Sequence, residues 1–235
     1  MGYRARLGEL VSGGLSAVVF DLDGVLVDSE HLWEEMWRRY AERHDARWTG
    51  EDTASVQGMS APEWSAYLCR AAGSPEPPEG TERAVVDDMV AAFEAGRVDL
   101  LPGAETLIRE VSGRVPVALA SSAPRRLIDA VLTGHGLAAR FTATVSSAEV
   151  PRGKPSPDVY AEAAHRLGHD GPACAAVEDS SNGIRAAAAA GMTVVAIPNP
   201  TYPPKPDALA LAGTVAADLD DVRHTLLKLI DEEWT

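Results

Sequence analysis

The stretch Val18-Val19-Phe20-Asp21-Leu22-Asp23-Gly24 passes from an apolar run directly into two carboxylates. Four further apolar runs follow at residues 117–120, 142–145, 175–177 and 194–197, and the first three also end in polar or acidic residues. Runs that are apolar throughout are typical of strands buried on both faces of a parallel sheet. Helical patterns over residues 125–132, 157–167, 183–190 and 220–232 alternate with them. The alternation predicts an α/β fold with a doubly wound, Rossmann-like parallel sheet as its core.

The segment between about residues 30 and 100 interrupts this alternation, because it contains no convincing strand. Apolar side chains recur there at helical spacing, first at Leu32, Trp33, Met36, Trp37 and Tyr40. The sequence Ser60-Ala61-Pro62-Glu63 is a capping box that predicts the start of another helix. We therefore predict a discontinuous core over residues 1–30 and 100–235, and an α-helical cap over residues 31–99, which we call the helical insertion.

The charge balance excludes several classes of partner. The 235 residues include 35 Asp and Glu against 21 Lys and Arg, a formal charge of −14. A nucleic-acid binder needs a basic face, and a helix on anionic lipid needs a basic surface. No apolar stretch approaches the roughly 18 residues that span a bilayer. The two cysteines, Cys69 and Cys174, are far apart and outside any CxxC pattern, as expected of reduced thiols. We expect a soluble cytoplasmic protein, a monomer or weak homo-oligomer, with no nucleic-acid or membrane partner.

Ligands of open α/β sheets bind at the carboxyl ends of the strands. The predicted strand ends and the loops after them carry Asp21, Asp23, Ser121, Ser122, Lys154, Glu178 and Asp179. Crowded carboxylates repel each other, and oxygen-only ligands favour Mg²⁺, which also binds phosphate oxygens. One carboxylate can then attack phosphorus, and a second can serve as general acid and general base. This set of side chains predicts Mg²⁺-dependent phosphoryl transfer through an aspartyl phosphate.

Four short motifs resemble those of the haloacid dehalogenase superfamily and occur in that family's order. The first is Phe20-Asp21-Leu22-Asp23-Gly24-Val25-Leu26-Val27-Asp28-Ser29, and the second is Ser121 after an apolar strand. The third is Lys154-Pro155-Ser156-Pro157-Asp158, and the fourth is Glu178-Asp179-Ser180-Ser181-Asn182-Gly183. A lone DxDG is a weak signal, but four motifs in order span most of the chain.

The resemblance implies a role for each matching residue. Asp21 corresponds to the nucleophile and a Mg²⁺ ligand, and Asp23 to the general acid/base that gives the metal its backbone carbonyl. Ser121 and Lys154 correspond to the residues that bind the transferring phosphoryl group. Asp179, with Glu178, completes the metal site. The acid at Asp23 also separates the chain from the true dehalogenases of the superfamily, which lack one there.

The helical insertion resembles the small cap of the subgroup that contains β-phosphoglucomutase and sugar-phosphate phosphatases. Trp37 aligns with a substrate-contacting tryptophan of the mutase, although its helical stripe also suits core packing. Gln57, Gly58 and Ser60 correspond to a cap loop that faces the site. Ser122 is a further substrate-binding candidate, unless it only caps the next helix.

The same resemblance favours hydrolysis over mutase activity. The mutase histidine, twelve positions after the nucleophile, falls on Trp33, and the mutase cap arginine falls on Ala61 if Gly58 is the loop glycine. We therefore predict a phosphatase that acts on a small phosphorylated metabolite, a phosphosugar or similar phosphomonoester, with a sugar phosphomutase as the alternative. A phosphoacceptor module without turnover is the alternative from another class. Such receiver domains also gather acids, a hydroxyl and a lysine at strand ends, but they lack a DxD and a helical insertion.

Overall fold

The computed structural model describes residues 14–56 and 59–231. Its strands are β1 (Ala17–Phe20), β2 (Val117–Ser121), β3 (Ala143–Ser146), β4 (Cys174–Glu178), β5 (Thr193–Ala196) and β6 (Thr214–Val215). The helices between β1 and β2 are α1 (Glu30–Arg43), α2 (Gly50–Val56), α3 (Ala61–Ala72), α4 (Pro78–Glu94) and α5 (Ala104–Ser112). The later helices are α6 (Arg125–Gly134), α7 (Asp158–Arg166), α8 (Ser181–Ala189), α9 (Pro206–Leu209) and α10 (Leu219–Asp231).

The strands form one parallel six-stranded sheet in the order β3-β2-β1-β4-β5-β6. Side chains of β1 alternate between the two faces, because successive residues of a strand point in opposite directions. Val18 and Phe20 join one apolar cluster, while Ala17 and Val19 join the other. Helices therefore cover both faces, as the fully apolar strand sequences predict. The predicted doubly wound fold is confirmed. The two-residue β6 is a strand that the sequence analysis did not predict.

Between β1 and β2, the described residues form five helices joined by loops and contribute no strand to the sheet. Their only strand-like pairings are isolated bridges from Val27 to Asp23 and to Leu100. The predicted capping box is present at the start of α3, where Ser60 and Glu63 exchange hydrogen bonds. The helix ends at Gly73, whose positive φ of 59° suits a residue without a Cβ. Four tryptophans of the insertion pack together, with ring centroids of neighbouring pairs 5.7 to 6.2 Å apart.

Candidate active site

The topology brings the acidic strand ends together at one point of the sheet. The chain order reverses between β1 and β4, and the crevice beyond such a switch point is where doubly wound sheets bind ligands. Phe20 of β1 pairs with Val177 of β4, and the Asp21 N–H donates to the Val177 carbonyl at 3.1 Å. Asp21 and Glu178 therefore leave neighbouring strands side by side.

Lys154 lies between these two carboxylates. Its Nζ donates to Asp21 Oδ1 and to Glu178 Oε1, each at 2.7 Å, and only 4% of the residue is exposed. A buried ammonium is costly unless it is paired and hydrogen-bonded. Burial opposes the charge, but the two carboxylates together raise the pKa of Lys154 above its ordinary value. The Tyr160 hydroxyl also donates to Glu178 Oε1, at 2.8 Å. Sequence analysis missed Tyr160, a buried residue of α7.

Glu178 is fully occupied as a hydrogen-bond acceptor. Besides Lys154 and Tyr160 on Oε1, its Oε2 accepts from the backbone N–H groups of Asp179 and Ser180 and from the Ser180 hydroxyl, each at 3.0 Å. Gly183 of α8 lies so close that a Cβ there would overlap the Glu178 carboxylate. These contacts favour Glu178 as the group that anchors Lys154 and the start of α8.

Asp179 is also buried, but it accepts fewer hydrogen bonds than Glu178 does. Its Oδ2 accepts a hydrogen bond from Asn199 Nδ2 at 3.2 Å, and this amide also donates to Glu30 of α1 at 2.8 Å. Burial, followed by repulsion from Glu178 and Asp21, raises the pKa of Asp179 well above its usual range. A Cβ at Gly24 would clash with Asp179 Oδ2, and Gly24 also has a φ of 75°. Asn199, beyond β5, had no distinguishing signal in the sequence.

The acidic cluster fits a divalent metal. One carboxylate oxygen from each of Asp21, Glu178 and Asp179 lies within 4.8 Å of the others. Burial raises the pKa of Asp21 to about 7, and repulsion from Glu178 and Asp23 adds to this against the opposing effect of Lys154. A bound cation relieves that repulsion, and oxygen donors suit a hard ion. Asp21 and Asp179 are the better candidate ligands, because Glu178 is already occupied by hydrogen bonds.

Asp23 has its own set of partners. Its Oδ1 accepts from the Ser29 hydroxyl and from the Trp33 indole Nε1, the latter at 3.0 Å. Sequence analysis considered only core packing for Trp33, and the structure shows that its N–H also reaches the candidate acid. The sequence feature that could have predicted this shared contact is the i, i+4 spacing of Ser29 and Trp33, which places both on one face at the start of α1.

A cavity of about 520 Å³ lies over the acidic cluster, between the strand ends and the helical insertion. Its floor includes Asp21, Asp23, Lys154, Asp179 and Ser122. Its walls include the insertion residues Trp33, Trp37, Met59 and Trp64. Residues that follow β4 and β5, namely Asn182, Arg185, Tyr202 and Lys205, also line it. Five of the seven residues predicted at the strand ends therefore line one cavity.

The remaining predicted residues have different surroundings. Ser121 is fully buried, and its Oγ accepts from the Ala123 N–H at 3.0 Å, so Ser122 rather than Ser121 lines the cavity. The Ser60 hydroxyl donates to Glu63 in the α3 capping box, and Ser60 is not among the residues that line the cavity. Gln57 and Gly58 lie outside the described residues. The assignments of Ser121, Ser60, Gln57 and Gly58 to the site stay predictions.

Comparison with known proteins identifies the family. The haloacid dehalogenase-like hydrolase family profile matches residues 15–191, which carry all four motifs and every candidate residue on the cavity floor. The chain belongs to the haloacid dehalogenase-like hydrolases. The family resemblance and the hydrolase assignment made from the motifs are thereby confirmed.

Relatives within the haloacid dehalogenase-like hydrolases are similar over most of this chain. Hexitol phosphatase B of Escherichia coli is 34% identical over 192 residues, which cover 78% of this chain and 84% of that enzyme. A bifunctional riboflavin kinase/FMN phosphatase of Arabidopsis thaliana is 32% identical over 93% of this chain, which spans only 55% of that longer protein. The crystal structure of CbbY from Rhodobacter sphaeroides in complex with phosphate is 27% identical, with a TM-score of 0.73, over 80% of this chain and 88% of CbbY.

One further prediction concerns the membrane. Within residues 14–56 and 59–231, every helix falls short of the length and apolar character that crossing a bilayer requires. A cytoplasmic location and the oligomeric state stay predictions.

Proposed function

We propose that the chain is a Mg²⁺-dependent phosphatase that hydrolyses a small phosphomonoester, a phosphosugar or related metabolite, through an aspartyl phosphate on Asp21. The observation that carries the proposal is the Lys154 ammonium bonded to Asp21 Oδ1 at the floor of a cavity that also holds Asp23 and Asp179. The cavity supplies a nucleophile, a cation for phosphate oxygens, a second acid and a metal-binding carboxylate. Phosphoryl transfer depends mainly on such positioning and charge stabilisation.

The chemistry follows from the residues at the cavity floor. An Asp21 oxygen attacks phosphorus, and the bond from phosphorus to the leaving oxygen breaks while Asp23 gives that oxygen a proton. Asp23, now a carboxylate, then takes a proton from a water molecule that attacks the aspartyl phosphate and releases inorganic phosphate. Lys154 holds phosphate oxygens close to Asp21, and Asp21 and Asp179 would hold Mg²⁺. When bound, Mg²⁺ neutralises charge on the phosphoryl oxygens.

The wall of the cavity supports a phosphosugar or polyol phosphate as the substrate class. Trp33, Trp37 and Trp64 line it, and the buried Trp37 Nε1 donates to none of the described residues. Indole rings pack against the apolar faces of small ligands, and a buried N–H normally finds an acceptor. A substrate hydroxyl would accept a hydrogen bond from this indole N–H.

We extend the proposal to the domains, with residues 31–99 as a cap over a core of residues 1–30 and 100–235.

The test measures phosphate release from sorbitol 6-phosphate, glucose 6-phosphate, glycerol 3-phosphate and FMN. We expect turnover of at least one sugar or polyol phosphate with Mg²⁺, its loss with EDTA, and its recovery with excess Mg²⁺. Isomerisation of a hexose 1-phosphate without net phosphate release would instead indicate a mutase. A stable phosphoprotein without turnover would indicate a phosphoacceptor module.

Magnesium affinity is expected to rise with pH. Because burial raises the pKa of Asp21 to about 7, and that of Asp179 is also raised, protons compete with the metal in mildly acidic solution. For one competing proton, the apparent affinity falls roughly tenfold per pH unit below that pKa. The increase of melting temperature with Mg²⁺ concentration, measured at pH 5.5 and pH 8, gives the two dissociation constants. NaCl of equal ionic strength is the control, and equal constants at both pH values would contradict the prediction.

A further inference from the structure

The first turn of α1 holds the Asp23 carboxylate by one oxygen only. The Ser29 hydroxyl and the Trp33 indole N–H both donate to Oδ1, whereas Oδ2 accepts no hydrogen bond from the described residues. Ser29 is the N-cap residue of α1, yet its hydroxyl accepts no hydrogen bond from the helix. A serine at this position ordinarily stabilises its own helix through such a bond. Its hydroxyl is directed to Asp23 instead.

Trp33 is fixed in place by the helical insertion. Only 8% of the residue is exposed, and its ring centroid lies 5.7 Å from that of Trp37 in α1 and 5.8 Å from that of Trp64 in α3. The indole N–H cannot accept a hydrogen bond, so the contact with Asp23 has one direction. The packing of α1 against α3 therefore determines where the donor to Asp23 lies.

We infer that Trp33 is a positioning residue for the acid/base step, which rests on the proposed function. With Oδ1 held by Trp33 and Ser29, Oδ2 carries the proton of the protonated acid. That proton passes to the leaving oxygen as its bond to phosphorus breaks and the bond from Asp21 to phosphorus forms. The same oxygen then takes a proton from the attacking water. Losing the indole donor lets the carboxyl group rotate away from this alignment.

The test compares two substrates with different needs for the acid. An alkyl alkoxide is a poor leaving group that requires a proton, whereas p-nitrophenolate leaves readily as an anion. The parameter kcat/KM covers only the steps up to phosphoryl transfer to Asp21, so it isolates the effect on the leaving group. For W33F, we expect kcat/KM to fall about tenfold for the fastest alkyl phosphate of the panel, and less than about twofold for p-nitrophenyl phosphate.

The matched control is W48F. Trp48 belongs to the same tryptophan cluster, and its Nε1 donates to Thr53 Oγ1 at 2.9 Å, so this variant also loses a buried indole hydrogen bond, but one remote from Asp23. We expect W48F to keep the wild-type ratio of the two kcat/KM values. Equal losses on both substrates in W33F, or no loss on either, would overturn the inference, because a purely structural tryptophan gives no selective effect.

A second readout does not depend on turnover. The indole N–H resonance of Trp33, assigned in a ¹H–¹⁵N spectrum by its absence in W33F, is expected to exchange slowly with solvent in the wild type. In D23A it is expected to shift and to exchange at least about tenfold faster, because its acceptor is gone. An unchanged resonance would overturn the inference. A wild type that releases no phosphate from any substrate would refute the proposed function and with it the positioning role of Trp33, while the spectrum still reports the hydrogen bond.

Discussion

Replacement of Asp21 with asparagine is expected to lower kcat for phosphate release by about 10⁴-fold or more, with the fold retained. Asparagine matches aspartate in shape, and its carbonyl oxygen still accepts the hydrogen bond from Lys154 that the wild type makes at 2.7 Å. The neutral amide is too weak a nucleophile to attack phosphorus, so no acyl phosphate forms at position 21. Steady-state rates with Mg²⁺, together with the thermal unfolding midpoint, separate loss of chemistry from loss of structure.

Asp28 provides the matched control for this variant. It lies in the same motif, but it is exposed and its nearest ionic partner is the surface residue His31, at 3.5 Å. Asp28→Asn removes one carboxylate near the start of α1 without changing the cavity floor, so its rate should stay within about twofold of the wild type. An Asp21→Asn enzyme that retains a tenth of the wild-type rate would contradict the nucleophile assignment.

Replacement of Asp179 with asparagine is expected to stabilise the metal-free protein while removing its response to Mg²⁺. The carboxylate is 2% exposed, and among the described residues only the Asn199 amide donates to it. A buried charge without a cation costs free energy, and removing this one should raise the free energy of unfolding at pH 8 by about 2 kcal/mol. Activity should fall at least about 100-fold, because the metal loses a charged ligand.

Denaturant unfolding with and without Mg²⁺ tests this prediction. The wild type should gain stability from Mg²⁺ by mass action, and Asp179→Asn should gain little at the same concentration. The sign follows from the pKa of Asp179, which is raised, so the metal-free wild type loses stability as pH rises through that pKa. The variant should therefore differ most from the wild type at high pH. A variant that is less stable than the wild type without metal at pH 8 would contradict the prediction, because it would show that neighbouring groups already offset the cost of burying the Asp179 charge.

The parts of the site that sequence could predict are those that local pattern determines. Asp21, Glu178 and Asp179 follow apolar runs directly, and parallel strands place their carboxyl ends at one edge. Lys154 was predicted through its motif. Its burial between two carboxylates depends on how the loop after β3 folds back onto the sheet. No local sequence pattern predicts the path of that loop.

Other contacts depend on packing between distant segments. Asn199 reaches Asp179 from the loop after β5, and Tyr160 reaches Glu178 from α7. The helical spacing of Trp33 correctly indicated a core residue. It could not show that the indole N–H of this residue also donates to Asp23. Ser60 shows the reverse, since the capping box that predicted its helix also occupies its hydroxyl.

The site also explains how a chain of charge −14 can receive an anionic substrate. The acidic cluster at the floor of the cavity would hold a divalent cation, and the local field would then depend on that cation and on Lys154 rather than on the net charge of the chain. In the metal-free cluster, burial and then repulsion between the carboxylates raise the pKa values of Asp21 and Asp179. Binding of Mg²⁺ and of phosphate should therefore be cooperative.

The most direct test of the central claim is to identify the phosphorylated residue during turnover. The enzyme is quenched in acid while it hydrolyses its best substrate with Mg²⁺, treated with borohydride, and digested for mass spectrometry. Reduction converts an aspartyl phosphate to homoserine, and we predict homoserine at position 21 in the wild type and its absence when Mg²⁺ is chelated. Phosphate release at the full rate with position 21 unmodified, or with the label on another residue, would contradict Asp21 as the nucleophile.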